Sequence, residues 1–291
     1  MFGVHEILVL LSEIVLSAYP LLIKLVKTSI IFQVGLRMFV FSGLAALAAL
    51  LTGAPVLPAT LLSAESVATG LLNLLHVSAS YIGFEQLAGG NAMALFYTYP
   101  VWNLLGAAAV FGESIPLSSL PWILVALGGA VALAQPTAHS WTLLGVVAAL
   151  VAALTETGIY LWFKSRKEGE SDQPWTKMVQ MYGSSGVFWL AGIAIALLVG
   201  FMGTNAFNIS GAGLSGVLLF NGLVGFLGYA LRFYLIPQVS TIVFSALSFF
   251  GVISAYGLGW LVTNEVPSAL QAAGAAAIIV ANAVLVTRDT A

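Results

Sequence analysis

Apolar residues run on for lengths that no ordinary domain core needs, and polar residues gather in the short gaps between them. A helix that crosses a bilayer takes about 20 mostly apolar residues. Ten such runs follow one another, at 4–23, 30–52, 66–87, 91–111, 118–135, 142–163, 177–201, 212–236, 239–261 and 267–287. The gaps carry turn chemistry, among them Gly53-Ala54-Pro55, Gly89-Gly90-Asn91, Gly112-Glu113-Ser114-Ile115-Pro116, Pro136-Thr137 and Asn264-Glu265-Val266-Pro267. Several gaps are only a few residues long, so neighbouring helices must run antiparallel. Strands of a membrane barrel alternate over about ten residues, whereas these runs are continuously apolar. The pattern predicts an all-α membrane protein with ten transmembrane helices.

Composition removes the soluble alternative. The chain is 60% apolar and 7% charged, where a soluble domain carries roughly 25% charged residues. A net charge of −2 with scattered Lys and Arg excludes a nucleic-acid-binding face, which needs a concentrated basic patch. Without cysteine there is no disulfide, thiol catalysis or Cys-ligated metal. The first run has no basic flank and holds Glu6 and Glu13, so it reads as a spanning helix and not as a cleaved signal. Residues 164–177 hold four of the nine basic residues, and Arg288 follows the tenth run. The opposite side has chiefly Lys24 and Lys27. The positive-inside rule therefore places both termini in the cytoplasm.

The chain also repeats itself. ALFYTYPVWNLLGAAAVFGESIP from Ala94 lies over ALSFFGVISAYGLGWLVTNEVP from Ala246, with Glu113 and Glu265 152 residues apart. Leu11-Ser12-Glu13 similarly matches Leu154-Thr155-Glu156. These matches divide the chain into two five-helix halves, residues 1–136 and 139–288. Five is odd, so the second half enters the membrane from the other side. Inverted repeats of this kind are a recurrent transporter architecture, with substrate bound between the halves near the midplane.

Ten runs as five plus five, with a Gly-Glu or Asn-Glu step closing the fourth and ninth, resemble the EamA branch of the drug/metabolite transporter superfamily. Lys24, Arg37, the mid-run Pro100 and the aromatic Tyr99 before it fit the same pattern. The resemblance implies an exporter of amino acids or similar small metabolites in a bacterial inner membrane. It also implies a central cavity lined by the first, third, fourth, sixth, eighth and ninth helices. One chain then holds the whole site, so a monomer in the lipid bilayer is the expected unit, with a small-molecule substrate as its partner.

Ionisable groups inside the runs are the first candidates for the site, since each costs about 2.5–3.5 kcal/mol at a helix centre. Glu13 lies roughly 13 Å deep, His76 lies near mid-depth, and Glu156 is roughly 10 Å from the cytoplasmic surface. A carboxyl there binds a cationic group when ionised and carries a proton when neutral; alternatively these groups satisfy one another and fix packing. Ser80, Tyr99, Trp102, Tyr160 and Tyr229 complete the expected substrate lining, since aromatic faces suit flat rings and organic cations. Arg37 and Glu85 lie near one surface and are expected to form a structural charge pair, and Arg232 reads as a paired or snorkelling residue near a helix end. Glu113 and Glu265 read as capping or interfacial groups.

Other function classes fare worse. No phosphate-binding loop is present, so ATP cannot drive transport through this chain. His5, His76 and His139 do not form HExxH, and no aspartate lies within a run; neither catalytic residues, a metal nor a cofactor is expected. A sugar-phosphate or nucleotide-sugar carrier needs a basic cavity, and organic-cation or drug efflux is the other alternative. The acidic and aromatic content favours amphoteric or cationic molecules.

Overall fold

The computed structural model describes residues 3–19, 23, 28–55, 61–87, 89–135, 141–165, 174–201, 210–263 and 268–289. Lys24, Lys27, Thr137, His139, Glu265 and most of the basic stretch, including Arg166 and Lys167, lie outside the described residues. Among the described residues there are helices and turns and no strand. In chain order the helical segments are α1 (Val4–Leu16), α2 (Ile30–Thr52), α3 (Ala64–Gln86), α4 (Gly89–Phe96) and α5 (Tyr99–Phe111). They continue with α6 (Leu120–Ala134), α7 (Leu143–Lys164), α8 (Trp175–Leu198), α9 (Gly211–Leu219) and α10 (Leu227–Leu235). Last come α11 (Thr241–Ser248), α12 (Phe250–Thr263) and α13 (Ala269–Asp289). Among the described residues, eight helical stretches, some joining two or more of these segments, are long and apolar enough to cross a membrane, and α6 is a shorter apolar helix. Leucines such as Leu51, Leu124 and Leu198 stand exposed on the outside, where only lipid would accept so many. The chain is a multi-pass membrane protein.

Local sequence sets the helix ends. Ser29, Ser63, Thr142, Ser210 and Ser240 each accept the backbone N–H three residues ahead, satisfying one of the orphan donors of a helix start. Gly53 and Gly112 close α2 and α5 in the left-handed conformation that glycine adopts without penalty.

Two interruptions shape the middle of the molecule. The fourth apolar run breaks at Tyr97 and Thr98, between α4 and α5, where Pro100 follows and supplies no amide hydrogen. The ninth run breaks at Phe249, between α11 and α12, without a proline. Beside the second break, a Cβ on Gly251 would collide with the Tyr97 hydroxyl and come within 2.8 Å of Glu13 Oε2. A glycine there lets both side chains approach the interrupted helix. Between α9 and α10, Phe220–Phe226 winds as a π-helix, a form that often marks functional sites.

Packing runs between segments distant in sequence. The most extensive contacts join α3 to α7, α6 to α13, α2 to α8 and α3 to α8, and α10 lies along α1. In the α6–α13 pair, Gly129 and Gly274 face each other so closely that a Cβ on either would strike the other's carbonyl oxygen. Small residues let membrane helices approach in this way. A polar seam adds to the α3–α8 contact: Asn73 Nδ2 donates to Ser185 Oγ at 2.9 Å, and Ser185 Oγ donates to the Gly70 carbonyl.

Candidate substrate site

Four helical segments bring one ionisable group each to the centre. Glu13 lies in the last turn of α1, His76 midway along α3, Glu156 in α7 and Arg232 in α10. Arg232 Nη1 is ion-paired with Glu13 Oε1, and Arg232 Nη2 lies 3.1 Å from Glu156 Oε1. The other oxygen of Glu156 faces His76 Nε2 at 3.3 Å. Glu13 and His76 are 1% exposed, Glu156 and Arg232 3%, so each would cost several kcal/mol if it stood alone. Together they form one line, Glu13–Arg232–Glu156–His76. The Arg232 guanidinium also lies 5.0 Å from the Tyr99 ring centre and 5.2 Å from that of Phe244.

The far side of the imidazole fixes what it can do. His76 Nδ1 lies 3.1 Å from the Ala152 carbonyl oxygen. A carbonyl only accepts, so Nδ1 carries hydrogen and a neutral His76 turns its Nε2 lone pair toward Glu156. A proton at that 3.3 Å contact belongs to the His76–Glu156 pair jointly.

The cluster borders a cavity of about 40 Å³, room for a few waters and too little for a metabolite. The charged line forms part of the wall, with Ser80, Tyr97, Tyr99 and Tyr229 around it. Arg37 and Tyr19 line the same space. The Tyr19 hydroxyl donates to Asn221 Oδ1 at 2.5 Å, tying the stretch just past α1 to the π-helical segment, and the Tyr81 hydroxyl donates to Tyr19 at 3.3 Å.

A second polar cluster joins helix ends at one end of the molecule. Lys164 Nζ at the end of α7 lies 3.2 Å from Glu113 Oε1, just past α5. Thr241 Oγ1, at the start of α11, donates to Glu113 Oε2 at 2.6 Å and accepts from the Tyr160 hydroxyl at 3.0 Å. Glu113 therefore links three helix ends, more than a simple cap.

Six of the eight expected lining residues, Glu13, His76, Ser80, Tyr99, Glu156 and Tyr229, meet at the central cavity. Trp102 does not: it is 39% exposed, and its indole N–H donates to Thr98 Oγ1, because α5 has turned that side outward within a few residues of Tyr99. Tyr160 also lies elsewhere. One turn past Glu156, it belongs to the Glu113–Lys164 cluster. The expected Arg37–Glu85 pair does not form either. Glu85 is exposed, whereas Arg37 is buried with its guanidinium 4.6 to 5.0 Å from the ring centres of Tyr229, Tyr19 and Phe41. Arg232, read from its position as a paired or snorkelling residue near a helix end, is the hub of the site. Two intramembrane carboxylates were the available signal, since each calls for a cation.

Comparison with known proteins supports a membrane exporter of small molecules. No protein-family model matches the chain. Pseudopaline exporters CntI of Pseudomonas aeruginosa, from strains UCBPP-PA14 and PAO1, are each 23% identical over 212 residues, which is 73% of this chain and 71% of the relative. A solved crystal structure superposes with a TM-score of 0.74, covering 97% of this chain and 96% of that one at 16% identity. At that identity the likeness concerns the fold alone.

Proposed function

We propose that this protein is a secondary exporter of small amphoteric metabolites, amino acids foremost, in a bacterial inner membrane. Ten spanning helices in two inverted halves, residues 1–136 and 139–288, alternate access to the central cavity. The observation that carries the reading is the buried Glu13–Arg232–Glu156–His76 line beside two interrupted helices. Interruptions at matching places in the two halves are the usual pointer to a transporter's site, and Tyr97 and Phe249 stand at the same place in the repeat alignment. Contacts support the repeat as well. Exchanging the first five runs for the second five maps the α2–α8 and α6–α13 pairs onto themselves and α3–α7 onto α10–α1. The similarity to exporters gives the direction of transport.

The charges suggest a coupling. With both carboxyls ionised, Glu13, Arg232 and Glu156 together carry one surplus negative charge, and a proton on the His76–Glu156 pair cancels it. A substrate ammonium and that proton compete for the same surplus, so loading one releases the other. Proton entry then drives export. Both termini lie in the cytoplasm in this reading, and the Glu113–Lys164 cluster closes the cytoplasmic end.

Reconstituted proteoliposomes test the proposal. Internal amino acids should exchange with labelled external ones, and an acid exterior should accelerate efflux of at least one of them. Activity confined to sugar phosphates or permanently charged organic cations would replace the amino-acid reading.

A further inference from the structure

Arg37 is the charged group in the cavity wall that the coupling does not use. It is 1% exposed and makes no ion pair with any described carboxylate. Its immediate surroundings are aromatic: the rings of Tyr19, Phe41 and Tyr229, with the hydroxyl-bearing Tyr81 and Tyr182 close by. Ring faces help to hold a cation, but they accept none of its N–H groups in the plane. Nε and Nη2 are buried and have no hydrogen-bond partner among the described residues.

Those two atoms form one edge of the guanidinium, the edge whose N–H bonds run parallel and match the two oxygens of a carboxylate. The hydrogens of the nearby hydroxyls on Tyr19 and Tyr81 are directed to Asn221 and to Tyr19. The rings thus hold the cation in place, and the hydroxyls of Tyr81, Tyr182 and Tyr229 lie near it without completing a hydrogen bond to Nε or Nη2. Elsewhere in the cavity, Arg232 is met by two carboxylates and the balance is negative. The wall is therefore dipolar, with a positive pole at Arg37 and a negative pole at Glu13 and Glu156.

We propose that Arg37 is the carboxylate anchor of the substrate site, binding an anionic oxygen pair on its Nε–Nη2 edge while the amino group of the same molecule faces the Glu13–Glu156 pole. The assignment of the bound molecule as an amino-carboxylate rests on the export reading above; the anchoring of a carboxylate by Arg37 does not. Phosphate monoesters present oxygens to the same fork, but their second negative charge is left without a partner when Arg232 is already neutralised.

The test uses purified full-length protein in nanodiscs, with thermal unfolding followed against 3-phenylpropanoate, 3-phenylpropanamide and 2-phenylethylamine. The parent should be stabilised by the carboxylate and much less by the carboxamide of the same shape. Arg37→Gln should weaken carboxylate binding about tenfold or more, the loss of charged hydrogen bonds, and leave the amine's effect in place. Arg37→Lys, which keeps the charge but loses the fork, should fall between the two. Equal stabilisation of the parent by carboxylate and carboxamide would overturn the anchor without recourse to any variant. So would carboxylate binding unchanged in Arg37→Gln or Arg37→Lys. Arg37-dependent carboxylate binding without amino-acid transport would keep the anchor and remove the amino-acid reading. Amino-acid transport with carboxylate and carboxamide bound alike would do the reverse.

Discussion

Arg232 is ion-paired with Glu13 across 219 positions of sequence and lies 3.1 Å from Glu156 on its other side. Each acid comes from a different helix, α1 and α7, so one guanidinium ties three segments together. Removing it leaves two buried carboxylates facing each other, and breaking a buried pair by deleting one partner costs about 3–5 kcal/mol. Arg232→Gln should therefore lower the unfolding temperature and the folded yield. The triple change Glu13→Gln, Arg232→Gln, Glu156→Gln should recover much of both, with no transport in either. A single Arg232→Gln as stable as the parent would show that the pairing carries little of the fold.

Glu13→Gln is a gentler change. Arg232 keeps Glu156, and the amide oxygen still accepts a hydrogen bond. The variant should fold at near-parental yield and lose about tenfold or more of its transport rate, as expected when one charged hydrogen bond at the site is lost. Parental transport by Glu13→Gln across mildly acidic to mildly basic pH would reduce Glu13 to a packing residue.

The proton site at His76 should be separable from substrate binding. In His76→Gln the pair loses its shared proton site. Exchange of labelled substrate at equal concentrations should persist, while efflux driven by an acid exterior should fall to the undriven rate. If the proton gradient still accelerates efflux in His76→Gln, coupling runs through another group.

The Glu113 cluster makes a prediction about access. Ser245 is buried one turn beyond Thr241, and the chain has no native cysteine. A Ser245→Cys probe should react slowly with a membrane-impermeant maleimide and several-fold faster when Glu113→Gln is added, because Lys164 then loses its countercharge and the amide keeps only one of the two acceptor oxygens that met Lys164 and Thr241. Equal rates in the two backgrounds would remove Glu113 from the closure.

Most of the architecture was already legible in the sequence, because bilayer thickness fixes helix length and apolar runs of that length announce themselves. Turn residues such as Gly53 and Gly112 were equally local. Glu13, His76 and Glu156 stood out because a charge in lipid must have a reason to be there. What those groups touch was decided only in three dimensions. Depth along a helix follows from counting residues, but the direction of a side chain depends on which neighbour packs against that face. Hence Trp102 turns outward, Tyr160 joins the Glu113 cluster, and Glu85 stays exposed and unpaired with Arg37. The sequence could place Arg37 and Arg232 only near helix ends. The packing of α10 along α1 brings Arg232 to Glu13, and the rings of Tyr19, Phe41 and Tyr229 hold Arg37 against the cavity. Lateral neighbours in a helix bundle come from distant parts of the chain, and no local pattern encodes them.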